Sequence, residues 1–231
     1  MHHYFLKECE STQSSFKKYW SDLDAQQTKL LVSCETQLNG VGRRNNQWLS
    51  AKAGLSMSCS VPAQAQITLS PLAIATSVCE YFKNLKIDLH LKWPNDLLNN
   101  KGEKVGGILC QTLDQKNILV GLGINLTLSA DERLSLKDTP YPVGDLNYEV
   151  SDKKLLAESL YTYLLEHHHF SIDQWNSKCI HMNKSVTIID GQNILKGIFI
   201  GIDHDGAALL ENDSGQHRVL TGSLRVSGSL G

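Results

Sequence analysis

A lysine, an asparagine and an aspartate crowd one short stretch, Lys92-Trp93-Pro94-Asn95-Asp96, which runs on to a second lysine and two glycines in Lys104-Val105-Gly106-Gly107-Ile108-Leu109. Ammonium, amide and carboxylate groups beside two bare glycines suit a polyanionic nucleotide and its metal. The charges answer phosphate, and a strand glycine marks a place where something approaches the backbone closely. The plain structural alternative is a β-hairpin with a proline corner. A second group lies in Gln37-Leu38-Asn39-Gly40-Val41-Gly42-Arg43-Arg44-Asn45-Asn46-Gln47-Trp48, where glycines and arginines can present N–H groups and positive charge to an anion. A third is the pair Ser11-Thr12, hydroxyls at the expected start of a helix.

The elements that must position these groups are readable from periodicity. Leu89 to Leu91 is a short strand that Pro94 forces out of regular pairing, and Asn99-Asn100-Lys101-Gly102 forms the turn to the strand of Lys104. Tyr4 to Leu6 reads as an edge strand. Phe16, Tyr19 or Trp20, and Leu23 give one apolar face of a helix. Leu30, Val32 and Cys34 alternate in a strand leading into the Gln37–Trp48 loop. Beyond the loop, Leu55, Met57, Cys59 and Val61 alternate with Ser56, Ser58 and Ser60, which predicts a half-buried strand. A polar, glycine-rich loop of 12 residues is longer than a connection requires, so it is assigned to function. Gly40-Val41-Gly42 is not a dinucleotide fingerprint, because no helical pattern follows.

Leu72, Ala75, Val78, Phe82 and Leu85 trace a helix after Pro71. Ile118 to Leu126 alternates apolar residues with Gly121, Gly123 and Asn125, leaving either room for a ligand or a tight neighbour on that face. Residues 128 to 150, with Pro140, Pro142 and Gly144, read as a long surface loop. Leu156, Leu160, Tyr163 and Leu164 mark a helix capped by Ser151 or Asp152, and Phe170 to Trp175 closes the helical layer. His167-His168-His169 does not suggest a metal site, since successive helical residues point about 100° apart. From Lys184 onward, short β runs broken by Asp-Gly and Ser-Gly turns predict a small barrel.

Lys-Trp-Pro-Asn-Asp followed by Lys-x-Gly-Gly-Ile-Leu resembles the signature of the biotin protein ligases, which attach biotin to carboxylase carrier domains. The resemblance covers nearly the whole chain. It implies an α+β fold, a class II synthetase-like mixed sheet with helices over residues 1–183, followed by an SH3-like β-barrel over 184–231. It also implies the short form, without the N-terminal DNA-binding domain of repressor-type ligases. Gln37, Gly40, Gly42, Arg43 and Trp48 match the family's mobile loop, while Val41 and Asn46 stand where arginines are usual and Asn45 where a glycine is. Val120-Gly-Leu-Gly-Ile-Asn125 is similar to the strand lining the biotin and ribose pockets. Ser223 stands where relatives often have a glutamate, and Gln13 where they have an asparagine.

Carried over, the resemblance puts biotin against Ser11, Thr12, Gln13, Gln37, Val41, Gly42, Arg43, Lys104, Gly107 and Gly121. It puts the nucleotide against Arg43, Arg44, Trp48, Asn95, Lys104 and Asn125, with Lys104 and Arg43 catalytic. Asn95 and Asp96 would order metal, water or adjacent loops; Trp48 would cover the adenine or lock the closed loop. The implied activity is ATP-dependent ligation of biotin, with Mg²⁺, through biotinyl-5′-AMP to a lysine of a biotin carboxyl carrier domain. Metal ligands are unassigned, and a homodimer is compatible. The alternatives are a lipoate-type ligase and a non-catalytic binder of biotin or biotinyl-AMP.

Composition points to a soluble, intracellular globular protein. The 22 basic and 24 acidic residues of the 231 leave a net charge of −2, with no basic excess for nucleic acid. Six cysteines are scattered singly, as expected for reduced thiols in a cytoplasmic protein rather than a disulfide framework or zinc site. No signal peptide is expected, and no apolar run approaches the roughly 20 residues that span a bilayer.

Overall fold

Alternating apolar residues in the first half of the chain build a seven-stranded sheet. The structure is a computed structural model and describes all residues except 24–28, 65, 138, 140 and 227–231, with the Asn45 side chain also outside the description. Pro140 and the last five positions of the expected C-terminal unit therefore lie outside the described residues. The strands are β1 (His2–Cys9), β2 (Leu30–Gln37), β5 (Ala53–Pro62), β6 (His90–Lys92), β7 (Asp96–Leu98), β8 (Lys104–Thr112) and β9 (Asn117–Thr127). Their order is β1-β2-β5-β9-β8-β7-β6, mixed because β1 runs parallel to β2 while the other neighbours are antiparallel. Two short strands, β3 (Gly40–Val41) and β4 (Gln47–Trp48), pair as a hairpin in the long loop, around a single 3₁₀ turn at Arg43–Asn45.

Helix α1 (Thr12–Ser21) packs on β2, β5 and β9, burying Phe16 against Leu30, Val32 and Leu119. Helices α2 (Ser70–Asn84) and α4 (Lys153–Glu166), with α5 (Ile172–Lys178), pack against one another and the sheet, and form the main core with Leu55, Met57, Cys59, Val120 and Leu122. The prediction of a half-buried strand at 55–61 is corrected: β5 is buried on both faces, serines included. Alternation marks two chemically different faces, and α1 covers the one expected to meet water.

The 128–150 stretch is also more structured than expected. Ser129 and Glu132 form a reciprocal capping box at the start of α3 (Ala130–Ser135). Further on, Lys104 N donates to Pro142 O at 2.7 Å and Gly144 N to Lys104 O at 2.9 Å, so this segment clamps the backbone of Lys104. Asp152 caps α4 by accepting from Leu155 N. The Nδ1 atoms of His167 and His168 lie against the carbonyls four residues back, Tyr163 and Leu164.

The C-terminal strands are β10 (Ser185–Asp190), β11 (Asn193–Ile202), β12 (Ala208–Asn212), β13 (Gly215–Val219) and β14 (Ser223–Val226). They form an antiparallel sheet in the order β13-β12-β11-β10-β14. The expected barrel is therefore an open sheet among the described residues. Gly222, at φ 150°, leads β14 to the far edge beside β10 rather than back onto β13. Both sheets share one core: Val186, Ile188, Phe199 and Leu210 belong to the same buried cluster as Trp93 and Trp175.

Candidate active site

The site is a row of side chains written across the large sheet. Lys92 pairs with Asp96, Asp96 with Gly107, Gly107 with Gly123, Gly123 with Ser56 and Ser56 with Cys34. Directly paired residues share a face, so the row carries charge at one end, bare backbone in the middle, and a hydroxyl and a thiol at the other. The neighbouring row runs Leu109, Gly121, Ser58, Val32.

At the charged end, Asp96 stands between two ammonium groups. Lys104 Nζ meets Asp96 Oδ1 at 2.6 Å and Lys92 Nζ meets Oδ2 at 2.9 Å. Burial pushes the Asp96 carboxyl up, but the Lys92 and Lys104 ammonium groups outweigh it and hold it below the usual carboxylate range. Lys92 is buried, with its Nζ 4.1 Å from the centre of the Tyr141 ring. Burial, with Asp96 adding to it, pushes the Tyr141 phenol up to about 12. Lys104 is more open, at 27% side-chain exposure, which is what a group that meets a ligand requires. Asn95 braces the corner: its Nδ2 donates to Ile108 O at 2.8 Å, and its carbonyl accepts from Ile108 N at 3.0 Å.

The glycine floor is needed for space. A Cβ on Gly123 would come within 2.5 Å of Trp48 Nε1, and one on Gly121 would overlap Gln13 Nε2. The indole of Trp48 thus lies over Gly123, with Lys104 Nζ 5.8 Å from its ring centre. The loop carrying Trp48 is held from the C-terminal sheet. Arg43 Nη1 donates to Gly222 O at 3.2 Å, while Arg44 Nη2 reaches Asp190 Oδ1 at 2.6 Å and Thr221 Oγ1 at 3.4 Å. Burial and the neighbouring Arg44 lower the Arg43 pKa, and Asp96 and Asp190 act the other way.

At the far end Ser11 is the N-cap of α1 by position, yet its side chain makes no cap bond. Thr12 N and Oγ1 both donate to Gln37 Oε1, at 2.9 and 3.1 Å, and Gln37 Nε2 donates to Ser50 Oγ at 2.9 Å. Ser58 Oγ donates to Thr12 Oγ1 at 2.9 Å, and Gln13 Nε2 to Leu109 O at 3.4 Å.

One cleft of about 930 Å³, its open mouth included, joins these parts. Ser11, Thr12, Gln13, Gln37, Val41, Gly42, Arg43, Trp48, Asn95, Lys104, Gly107 and Gly121 all line it. Two expected residues do not. Arg44, at φ 55° within the loop, turns outward to Asp190. Asn125 is buried beyond the floor, where its Nδ2 donates to Gly144 O at 3.1 Å and its Oδ1 finds no partner among the described residues. The sequence points to Lys92 only as part of the corner's general charge and does not place Gly222, Ser223 and Leu224 at the cleft, although all four line it. The i,i+4 spacing of Lys92 and Asp96 across a proline turn was the available signal for the first. Nothing local pointed to the others.

A model of the Biotin/lipoate A/B protein ligase family matches residues 6–126, and one of the Biotin protein ligase C terminal domain matches residues 181–223. Among curated proteins, the Bifunctional ligase/repressor BirA of Bacillus spizizenii is 26% identical over 214 residues, covering 85% of this chain and 66% of the relative. The BirA of Salmonella typhimurium is 32% identical over 197 residues, 78% of this chain and 61% of the relative. The chain thus spans less than two thirds of the length of these relatives. Among solved structures, the biotin protein ligase from Aquifex aeolicus in complex with biotin and ATP superposes with a TM-score of 0.75 at 23% identity, covering 98% of this chain and 99% of that one. The Helicobacter pylori biotin acetyl coenzyme A carboxylase synthetase gives 0.68 at 19% identity, over 94% and 98% of the two chains.

Proposed function

The chain belongs to the biotin/lipoate A/B protein ligase family, and from that premise we propose that it couples biotin to a lysine of a biotin carboxyl carrier domain at the expense of ATP. The observation that carries the reading is the polarity of the cleft. Cationic Lys104, Lys92 and Arg43 stand at one end, hydrogen-bonding Thr12 and Gln37 at the other, and glycine floor lies between. Biotin has matching ends, a carboxylate on a flexible chain and a cyclic urea whose polar edge must be paired when buried. The Thr12–Gln37 cluster favours this ring over the dithiolane of lipoate, which has no N–H to offer.

In the first step a biotin carboxylate oxygen attacks the α-phosphorus of ATP, the bond from that phosphorus to the bridging oxygen breaks, and pyrophosphate leaves. Lys104 and Arg43 hold carboxylate and phosphate against each other and offset the charge that builds up, so catalysis is mainly positioning and electrostatics. In the second step a carrier lysine, having shed its proton, attacks the acyl carbon, and the bond to AMP breaks. Trp48, over Gly123, covers the region between the two ends. No covalent enzyme intermediate is required.

Asp96 supplies one carboxylate at the cleft, and its oxygens already face two ammonium groups. That donor set fits Mg²⁺ arriving on phosphate oxygens rather than one caged by protein. When bound, the ion would screen the triphosphate. A division into 1–183 and 184–231, a cytoplasmic location and a homodimer through the free edge of β1 belong to the same proposal. No helix among the described residues is long and apolar enough to cross a membrane.

The test is exchange of labelled pyrophosphate into ATP. Exchange that requires biotin, followed by transfer of labelled biotin to an isolated carrier domain, is expected. Biotin-dependent exchange without transfer would favour a biotinyl-AMP binder, and absence of exchange would remove the ligase reading.

A further inference from the structure

We propose that Ser58, which does not line the cleft, is the positioning residue that sets hydrogen-bond polarity at the ring-binding end and so selects a ligand ring presenting N–H donors. The inference rests on the reading of that end as the site of biotin's cyclic urea. It starts from a serine where the sheet has no need of one. Ser58 is wholly buried, flanked in its row by Val32 and Gly121, on the face that α1 covers.

Proton bookkeeping fixes the direction of each bond. The Thr12 backbone N–H can only donate, so the Gln37 atom 2.9 Å away is the carbonyl oxygen. That orients the amide and sends Nε2 to Ser50. Thr12 Oγ1 lies 3.1 Å from the same oxygen, which cannot donate, so the single Thr12 proton is committed there. Ser58 Oγ, 2.9 Å from Thr12 Oγ1, must then be the donor of that pair. The polarity runs Ser58 to Thr12 to Gln37. Thr12 keeps one lone pair and no free proton, and its side chain borders the cleft. A group that docks there has to donate.

Ser58 also anchors the Thr12 side chain from below, which keeps that lone pair aimed. Without it, Thr12 Oγ1 has lost a donor on its buried side and its rotamer is held by Gln37 alone. Gly121, directly across from Ser58, carries no side chain, so Gln13 lies over it and the Ser58 hydroxyl reaches Thr12 unobstructed.

The experiment is calorimetric titration of biotin, and separately of ATP, into the full chain as the unmodified protein, Ser58→Ala, Thr12→Val and the double variant. Ser58→Ala is expected to weaken biotin about tenfold, the worth of one buried hydrogen bond, and to leave ATP affinity within about twofold. The double variant is expected to bind no more weakly than Thr12→Val alone, because Ser58 acts through Thr12. Full additivity, an equal loss for ATP, or undiminished biotin binding by Ser58→Ala would overturn the assignment. If Ser58→Ala does not fold, Ser58→Cys, a weaker donor of similar shape, takes its place with a smaller loss expected in the same pattern and the same results overturning it. Failure of the unmodified protein to bind biotin overturns this inference together with the functional reading, whereas binding with an insensitive Ser58 overturns this inference alone.

Discussion

The corner at Lys92, Asp96 and Lys104 and the loop at Arg43 and Arg44 both bring positive charge to the cleft, by opposite means. The corner is part of the sheet: three strands, a proline turn and a backbone clamp from Pro142 and Gly144 fix it, and its ion pairs are largely shielded from water. The loop has a hairpin of just two residue pairs and borrows position from the C-terminal sheet through Gly222, Thr221 and Asp190. A charge built into a sheet is preorganised and costs little to align when the ligand arrives. A charge on a tethered loop can move, which suits the proposed function, in which this segment would admit two substrates and release a product.

The sharpest way to break this contrast is to remove the preorganised charge. Lys104→Ala is expected to lower the rate of biotinyl-AMP formation by about 10²–10³-fold while the far-ultraviolet circular dichroism stays unchanged. A smaller loss, measured by single-turnover adenylation, would mean that the loop carries the electrostatics after all. Next comes Asp96→Asn, which leaves Lys92 buried without its counter-charge. It is expected to cost about 3 kcal/mol in urea unfolding at neutral pH. The sign with pH follows from the depressed Asp96 pKa. The carboxylate stabilises the fold above its unfolded value near about pH 4, and that contribution is lost as pH falls through the lower folded value. The gap between unmodified and Asp96→Asn proteins should therefore narrow in acid below about pH 4. The smallest effect is expected at the loop. The Arg44–Asp190 pair is more than two fifths exposed on both sides, so Arg44→Ala should cost no more than about 0.5–1 kcal/mol, a cost that shrinks with added salt. A larger or salt-independent loss would show the loop to be as firmly built as the corner.

The same contrast explains what could be read from the chain. The corner was legible because its chemistry is local: Lys92 through Asp96 and Lys104 through Leu109 carry a proline, a turn and two glycines in a short span. Arg43 and Arg44 look equivalent in sequence, yet one lines the cleft and the other leaves it, a choice made by Asp190 and Gly222 from about 150 to 180 positions away. Ser56, Ser58 and Ser60 read as a solvent face because period-two alternation reports that two faces differ, not that one is wet. Asn125 follows the pattern of Gly121 and Gly123 but lies past the end of the floor. The Ser129–Glu132 capping box was legible and went unread inside a stretch rich in turn residues.

Trp93 sits in the middle of the corner motif and borders the cleft, yet its indole N–H is spent on the smaller sheet. Its Nε1 donates to Gly206 O at 3.0 Å, and Gly206, at φ 86°, lies in the turn between β11 and β12 of the smaller sheet. The wholly buried ring thus rivets the two halves of the molecule together at the very residues that hold Asp96 and Asn95. Any fluctuation that pries the C-terminal sheet loose must strand an indole donor in an apolar seam and slacken the proline turn in the same movement. The smaller sheet is in this sense a buttress for the larger one, and the integrity of the pocket depends on the seam that Trp93 closes.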